Sequence, residues 1–515
     1  MKLLLLLPLL PFTLAAREVF AHYILGNAAA LTQPDWESDI ALAAASSIDG
    51  FALNVAHGDP HNAASLANAF AAASAVAPTT FRLYFSFDYE ALGPWPPSAV
   101  IDLLRTYSSH PSYFKANGTR PLVSTFEGPA HASDWPAIKA ATNCFFIPDW
   151  TSLGPQAALS AAGGPGVVDG LASWDAWPRA DAPPGNGSGI VADAGFTAAL
   201  AGTGGAYMMP VSPWFYTNLP GYRKNWLWRS DGLWEARWAE VVRMQPDFVQ
   251  ILTWNDYGES HYIGPVREKA LGLFDAAGAA VNYVKGVDHE GWRAMLGFWI
   301  ARYKGAAAAA AVGEERLVVS YRRYPCSACA DGQTTGGNRN FGETVVPPQQ
   351  LMKDAVFYSV SLNGVEDVTT TIVIGSSPQA GTLTLVEGSG GGGAGLYTGS
   401  VPFGGKTGPV SVTVSRGGKV VAVVQGGPAI TTDCENGLQN WNPVSLSSVA
   451  MGKGAVDEPA VNTTPPVDEP VLPAGPVLPV NSTLPGGEGN VTLAAATTKA
   501  ESSTTVALPA ASSCD

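Results

Sequence analysis

"FVQILTWND", residues 248–256, starts as an apolar strand and ends in an aromatic ring, an amide and a carboxylate. Upstream the same pattern recurs in "VFAHYILGN" (19–27), "GFALNVA" (50–56), "TFRLYFSFD" (80–88) and "RPLVSTFEG" (120–128). It continues in "CFFIPDW" (144–150), "GLASWDAWP" (170–178) and "AYMMPVSPW" (206–214), which makes eight runs in all. Helix-like segments separate them. "TQPDWESDIALAAASSI" offers Thr32 as an N-cap, with Pro34 and Asp35 in the first turn. "AASLANAFAAASA", "PPSAVIDLLRTYSS" and "LWEARWAEVVRMQ" place apolar residues at helical spacing. Eight strands alternating with helices over roughly 250 residues predict an α/β chain folded as a (β/α)8 TIM barrel, residues 17–304. A doubly wound open sheet is the alternative. It usually has fewer strands, and a nucleotide binder of that class needs a glycine-rich loop after its first strand, which "ILGNAA" is not.

The texture changes after "GAAAAAAVGEE" (305–315). Short β-rich runs such as "RLVVSYRRY", "AVFYSVSLN", "VTTTIVIG" and "VSVTVSRG", with turn residues between them, predict a β-sandwich over 315–430. From 431 to 515 Trp441 is the sole aromatic residue, Pro, Thr, Ser and Val dominate, and "VDEP" occurs twice. Such a composition predicts a disordered tail. At the other end "MKLLLLLPLLPFTLAA" reads as a secretory signal over 1–16, too short and too Pro-interrupted to span a bilayer. The expectation is a secreted protein of the extracellular space or cell wall, monomeric and without a membrane partner. The sequons at Asn117, Asn186, Asn462, Asn481 and Asn490 fit that route.

Charged residues make up only 14% of the 515, and the formal net charge is −14. An acidic surface repels phosphate backbones, so a nucleic-acid partner is not expected. Fifteen Trp in so weakly charged a chain suit a partner rich in hydroxyls and C–H faces, although most Trp will serve the core. Of five cysteines, Cys144 lies in an apolar run and reads as a buried thiol. Cys326, Cys329, Cys434 and Cys514 predict a disulfide among three connectivities, because a lone C-x-x-C lacks the four ligands of structural zinc.

In a barrel of this kind the active site sits at the carboxyl ends of the strands. Asp88, Glu127, Asp149, Asp175, Asp256 and Glu259 all fall there. Trp150, Trp174, Trp177, Trp214, Phe215, Tyr216, Trp254 and Tyr257 stand beside them. One such acid alone is most simply a helix cap. Six on one rim, facing aromatic platforms, point to glycoside hydrolysis, which needs a proton donor and an opposing base or nucleophile. Metal catalysis is the rival use of the acids, with His22, His57, His61 and His131 as further ligands. No His-x-His or His-Glu-x-x-His spacing supports it, and neither cofactor nor catalytic metal is expected. A nucleophilic serine is not indicated, since the barrel part holds no Gly-x-Ser-x-Gly.

Eight stretches carry a family resemblance: "VFAHYILGN", "WESDIALAAASSIDGFALN", "RLYFSFDY", "PLVSTFEG", "FFIPDW", "GLASWDAWP", "YMMPVSPWFYTNLP" and above all "WNDYGESHYIGP". They resemble the fungal α-1,3-glucanases, or mutanases, of glycoside hydrolase family 71. The resemblance spans residues 19 to about 300. It implies a (β/α)8 barrel with a β-sandwich behind it, and endo-hydrolysis of α-1,3-glucan with inversion at the anomeric carbon. It also implies that Asp256 and Glu259 are the catalytic pair, Asp256 as base and Glu259 as acid or the reverse. Asp88, Glu127, Asp149 and Asp175 would orient sugar hydroxyls or tune the pair. Asn255, His22, His131 and the aromatic residues would line the sugar site. Gly258 is expected to let the loop turn and set the gap between the two acids. Two other readings stand beside this one: a non-catalytic glucan-binding protein, and a barrel glycosidase for another glucan linkage.

Overall fold

The structure is a computed structural model that describes residues 17–76, 80–164, 166–180 and 192–448. The expected signal segment and residues 449–515 of the expected tail lie outside the described residues.

The first three-fifths of the chain is mixed α/β. Strands β1 (Glu18–Ile24), β2 (Gly50–Ala56), β3 (Arg82–Asp88), β5 (Arg120–Phe126) and β6 (Phe145–Ile147) follow one another through the sheet. The two-residue β4 (Lys115–Ala116) is an antiparallel extension on β5. On its other side β1 pairs with β11 (Phe248–Ile251), which pairs with β8 (Ala206–Val211) and then β7 (Gly170–Ala172). All eight of the longer strands run parallel. The two ends of this path meet. Asp169 N donates to Phe146 O at 2.8 Å, Ala172 N to Pro148 O at 2.9 Å, and Asp149 bridges Ala172 in the parallel sense. First and last strands are therefore neighbours, and the register Glu18↔Phe248 through Ala21↔Ile251 brings their carboxyl ends together.

Helices α1 (Gln33–Ala45), α2 (Asn62–Ala75), α3 (Pro97–Tyr107), α4 (Trp135–Thr142), α5 (Pro155–Ala161), α6 (Ala192–Leu200) and α7 (Leu233–Met244) alternate with the strands. The predicted cap of α1 is present as a capping box, in which Asp35 accepts from Thr32 N at 2.8 Å. The strands read as near-continuous buried runs, as parallel strands covered on both faces must. Gly50 is needed for space: a Cβ there would stand 2.1 Å from Arg82 O on the next strand.

Two features were not expected in this part. An antiparallel hairpin, β9 (Tyr216–Leu219) and β10 (Lys224–Leu227), follows β8. The distant pair Thr335–Gly336 joins it as a third strand beside β10.

Beyond residue 315 two antiparallel sheets share one apolar core. A five-stranded sheet holds 316–321, 355–362, 384–385, 395–402 and 444–447, and a four-stranded sheet holds 368–374, 377–381, 410–416 and 419–424. Leu317, Val319, Val356 and Val360 of the first pack with Ile372, Val412, Val414 and Val424 of the second. The expected boundary at 430 is corrected. Strand Val444–Ser447 pairs with Arg316–Tyr321, Trp441 is fully buried under the Arg322 guanidinium, and Cys434 is bonded to Cys329. Residues 431–448 are thus folded, because a β-edge and one buried Trp outweigh the polar composition around them.

Candidate active site

Strand β11 ends at Ile251, and the loop that follows doubles back on itself. Thr253 N donates to His261 O at 2.9 Å, Ile263 N to Thr253 O at 3.0 Å and Gly264 N to Trp254 O at 2.8 Å. Inside this closed loop Tyr257–Glu259 form one 3-10 turn, with Asp256 as its cap. Asp256 Oδ1 accepts from Glu259 N at 3.2 Å, so the turn itself brings the two acids to one side. Gly258 is not the turning residue, since its φ is not positive. Ser260, at φ +59°, occupies the left-handed region instead. Gly258 serves by its size, because a Cβ would meet Leu219 at 3.0 Å, and its carbonyl accepts from Tyr283 Oη at 2.6 Å.

Oxygens of Asp256 and Glu259 and a ring nitrogen of His261 lie within 4.8 Å of one another. Lys224 Nζ, carried by β10, stands 2.8 Å from Glu259 Oε1, and His261 Nε2 stands 2.9 Å from Oε2. The other ring nitrogen of His261 is 3.2 Å from Thr253 Oγ1, which also accepts from Asp256 N at 2.8 Å. With Glu259 ionised, Nε2 donates a hydrogen bond to it, and an unprotonated Nδ1 accepts one from the Thr253 hydroxyl. Three acid and base groups at this spacing are a set that metals also use. Here the Lys224 ammonium already supplies the countercharge.

The two carboxyls are pushed in opposite directions. Burial raises Asp256, and the adjacent Glu259 charge raises it further. Burial would raise Glu259 too, but Lys224 and then His261 overcome it and hold Glu259 down at about 2. Burial opposes the charge on Lys224, yet Glu259, Asp256 and Asp88 keep its pKa above the ordinary value. Asp256 is therefore the carboxyl that holds its proton to higher pH, and Glu259 the one that ionises at lower pH.

The other rim acids sit where the strand ends predict. Asp88 is buried and accepts from Glu90 N, Ala91 N and Asn54 Nδ2 at 2.8, 2.9 and 3.1 Å. Burial raises its pKa. Glu127, Asp149 and Asp175 form a second group across the rim. Glu127 accepts from Ser152 N and Oγ, and Asp149 from Thr151 Oγ1 at 2.6 Å. Burial first, and then the charge on Glu127, raises Asp149 well above the usual carboxylate range. Asp149 Oδ2 finds no partner among the described residues. Burial also raises Glu127 and Asp175.

Several expected sugar contacts turn out to be core. Trp150, Trp254, Tyr216 and Tyr257 are at most 1% exposed, so none has a face to offer. Trp150 packs on Phe146, Tyr216 on Tyr283, and Tyr257 donates to Pro265 O at 2.8 Å. Trp177 and Trp214 are also buried, joined by a 2.9 Å bond from Trp177 Nε1 to Trp214 O. Trp177 lies 5.4 Å from the His261 ring and backs it. Asn255 spends its side chain on the backbone of Ile24. His131 stacks on Tyr89 and pairs with Asp134. His22 is buried on β1, and burial with the nearby His261 lowers it to about 3, so its ring is neutral. It meets Trp174 edge to face at 4.9 Å. Trp174, half-buried at the rim, is the expected platform that keeps exposed surface.

Lys224 and His261 escaped the sequence reading. The available signal was a lone Lys between aromatic runs in "YRKNWLW", and the His two residues beyond the second acid.

Comparison with known proteins gives one family. A glucan endo-1,3-alpha-glucosidase of Schizosaccharomyces pombe is 35% identical over 401 residues, covering 74% of this chain and 86% of its own. A mutanase of Penicillium rubens is 30% identical over 447 residues, covering 85% of this chain and 90% of its own. An ascus wall endo-1,3-alpha-glucanase of Schizosaccharomyces pombe is 29% identical over 378 residues, covering 70% and 84%. The model of glycosyl hydrolase family 71 matches residues 15–457, and the chain belongs to that family and is a glycoside hydrolase.

Proposed function

We propose that the chain is a secreted, endo-acting hydrolase of α-1,3-glucan, working at the carboxyl-end rim of a closed (β/α)8 barrel with a β-sandwich behind it. The observation that carries the chemistry is the unequal pair. Asp256 keeps its proton and gives it to the glycosidic oxygen as the C1–O bond breaks. Glu259, ionised by Lys224 and His261, takes a proton from the water whose oxygen bonds to C1. The expected roles are thereby taken in their reverse order. The linkage comes from the relatives' names, and secretion from the leading apolar segment.

A second reading concerns stereochemistry. Inversion keeps the carboxyls roughly 6.5–9.5 Å apart to admit water, whereas retention sets them at about 5–5.5 Å. Oxygens of Asp256 and Glu259 within 4.8 Å favour the shorter arrangement, with Glu259 attacking C1 itself. Incubation with a panel of α- and β-linked glucans, assayed for reducing ends, tests the linkage. NMR of the first-formed anomer separates the two outcomes: β product from α-glucan means inversion, α product means retention. Hydrolysis of every glucan in the panel except the α-1,3-linked one would overturn the proposal.

A further inference from the structure

Lys224 reaches Glu259 from outside the parallel sheet, on a hairpin that also bonds Tyr283 and Ala277 through Asn218 N and Gly221 N. Its strand β10 is central in a small three-stranded sheet: β9 lies on one side, and Thr335–Gly336 lies on the other, with Trp226↔Thr335 and Leu227↔Gly336 in register. That third strand belongs to a strap, residues 331–343, contributed by the chain beyond the parallel sheet. Asn225, next to Lys224, is gripped twice: its Nδ2 donates to Gly332 O at 2.8 Å, and its Oδ1 accepts from Thr334 Oγ1 at 2.8 Å. Gly337 N donates to Leu227 O at 2.9 Å, and Trp228 Nε1 donates to Glu343 Oε2 at 2.7 Å. The root of the strap is fixed too. Cys329 is bonded to Cys434, and Ala330 exchanges backbone hydrogen bonds with Gly437 and Gln439.

We infer that Lys224 is a positioning residue for hydrolysis, and that the 331–343 strap helps to hold it 2.8 Å from Glu259. The inference rests on Glu259 being the ionised partner of the pair. The groups that face this pair from each packed element are few. Asp256 and His261 come from the loop after β11, Asp88 from β3, His22 from β1 by way of His261, and the Tyr283 hydroxyl from below Gly258. Of these, Lys224 is the cation in direct contact with Glu259. A cation this close favours the carboxylate over the acid, typically by about 1–3 pKa units. The segment beyond residue 315 then contributes to the site itself, because its strap completes the electrostatics of the acid pair.

The test is the acid limb of kcat/KM on an α-1,3-linked glucooligosaccharide, for the full chain and four variants. Lys224→Gln is expected to move that limb up by about 1–3 pH units, and Lys224→Arg to return it. Asn225→Ala, which removes two of the strap's bonds to the hairpin but leaves the cation, is expected to move the limb the same way by less. A purely structural role for Lys224 would lower kcat at all pH values with the limb unmoved, and that result overturns the inference. An unmoved limb in Asn225→Ala alone overturns the strap's part in it. Glu259→Gln separates this from the underlying reading. Its full activity would end the assignment of Glu259 itself, whereas an inactive Glu259→Gln beside an unmoved Lys224→Gln limb would end only the role of Lys224.

Discussion

The side chain of Asn255 closes two hydrogen bonds on the backbone of Ile24, accepting from its N–H at 2.8 Å and donating to its carbonyl at 3.0 Å. It thus stitches the loop after the last parallel strand to the end of the first, one residue before Asp256. Both backbone groups would lose their partner in Asn255→Ala, at about 1–3 kcal/mol for each one left unpaired. The expected outcome is a lowered melting temperature and a lower kcat, with glucan affinity nearly unchanged. A large loss of affinity at wild-type stability would return Asn255 to the sugar site.

The pH profile follows from the unequal pair. Glu259 is competent when ionised, so its limb lies on the acid side, near its pKa of about 2. Asp256 is competent when protonated, and burial raises its pKa, so its limb lies on the alkaline side. Rates of glucan hydrolysis measured across pH should therefore be flat above the Glu259 limb and fall as pH rises through the Asp256 value. A profile that rises toward alkaline pH contradicts the assignment.

Two tryptophans that look alike in the sequence should separate sharply. Trp150→Ala empties a fully buried site and should cost about 3–5 kcal/mol in denaturant unfolding. Trp174→Ala touches a half-buried ring at the rim, and should weaken glucan binding in a pull-down with little change in stability.

Arg237 tests the scaffold alone. Its guanidinium is fully buried, 2.6 Å from both Asp193 and Glu240, and it donates to Pro210 O at 2.6 Å. Arg237→Ala strands a buried carboxylate and should destabilise by about 3–5 kcal/mol in urea unfolding.

Much of this was legible from residue pattern. Eight apolar runs gave the parallel strands because strands covered on both faces need unbroken apolar sequence, and the rim acids fell at their ends for the same reason. What hid was non-local. The β9–β10 hairpin depends on a partner more than a hundred residues away, so the stretch around Lys224 does not show what it faces. Strand Val444–Ser447 lies in a stretch whose Pro and Ser content argues against a fold until its pairing with Arg316–Tyr321 is seen. Trp150, Trp254 and Tyr257 read as platforms because sequence places them at the rim but does not show which way a ring turns.

The most direct measurement is the initial rate of reducing-end release from α-1,3-glucan by Asp256→Asn and by Glu259→Gln, each alongside a binding assay on the same polymer. Each variant should lose about 10²–10⁴-fold in rate while still binding. Hydrolysis at the wild-type rate by either one would contradict the assignment of the pair.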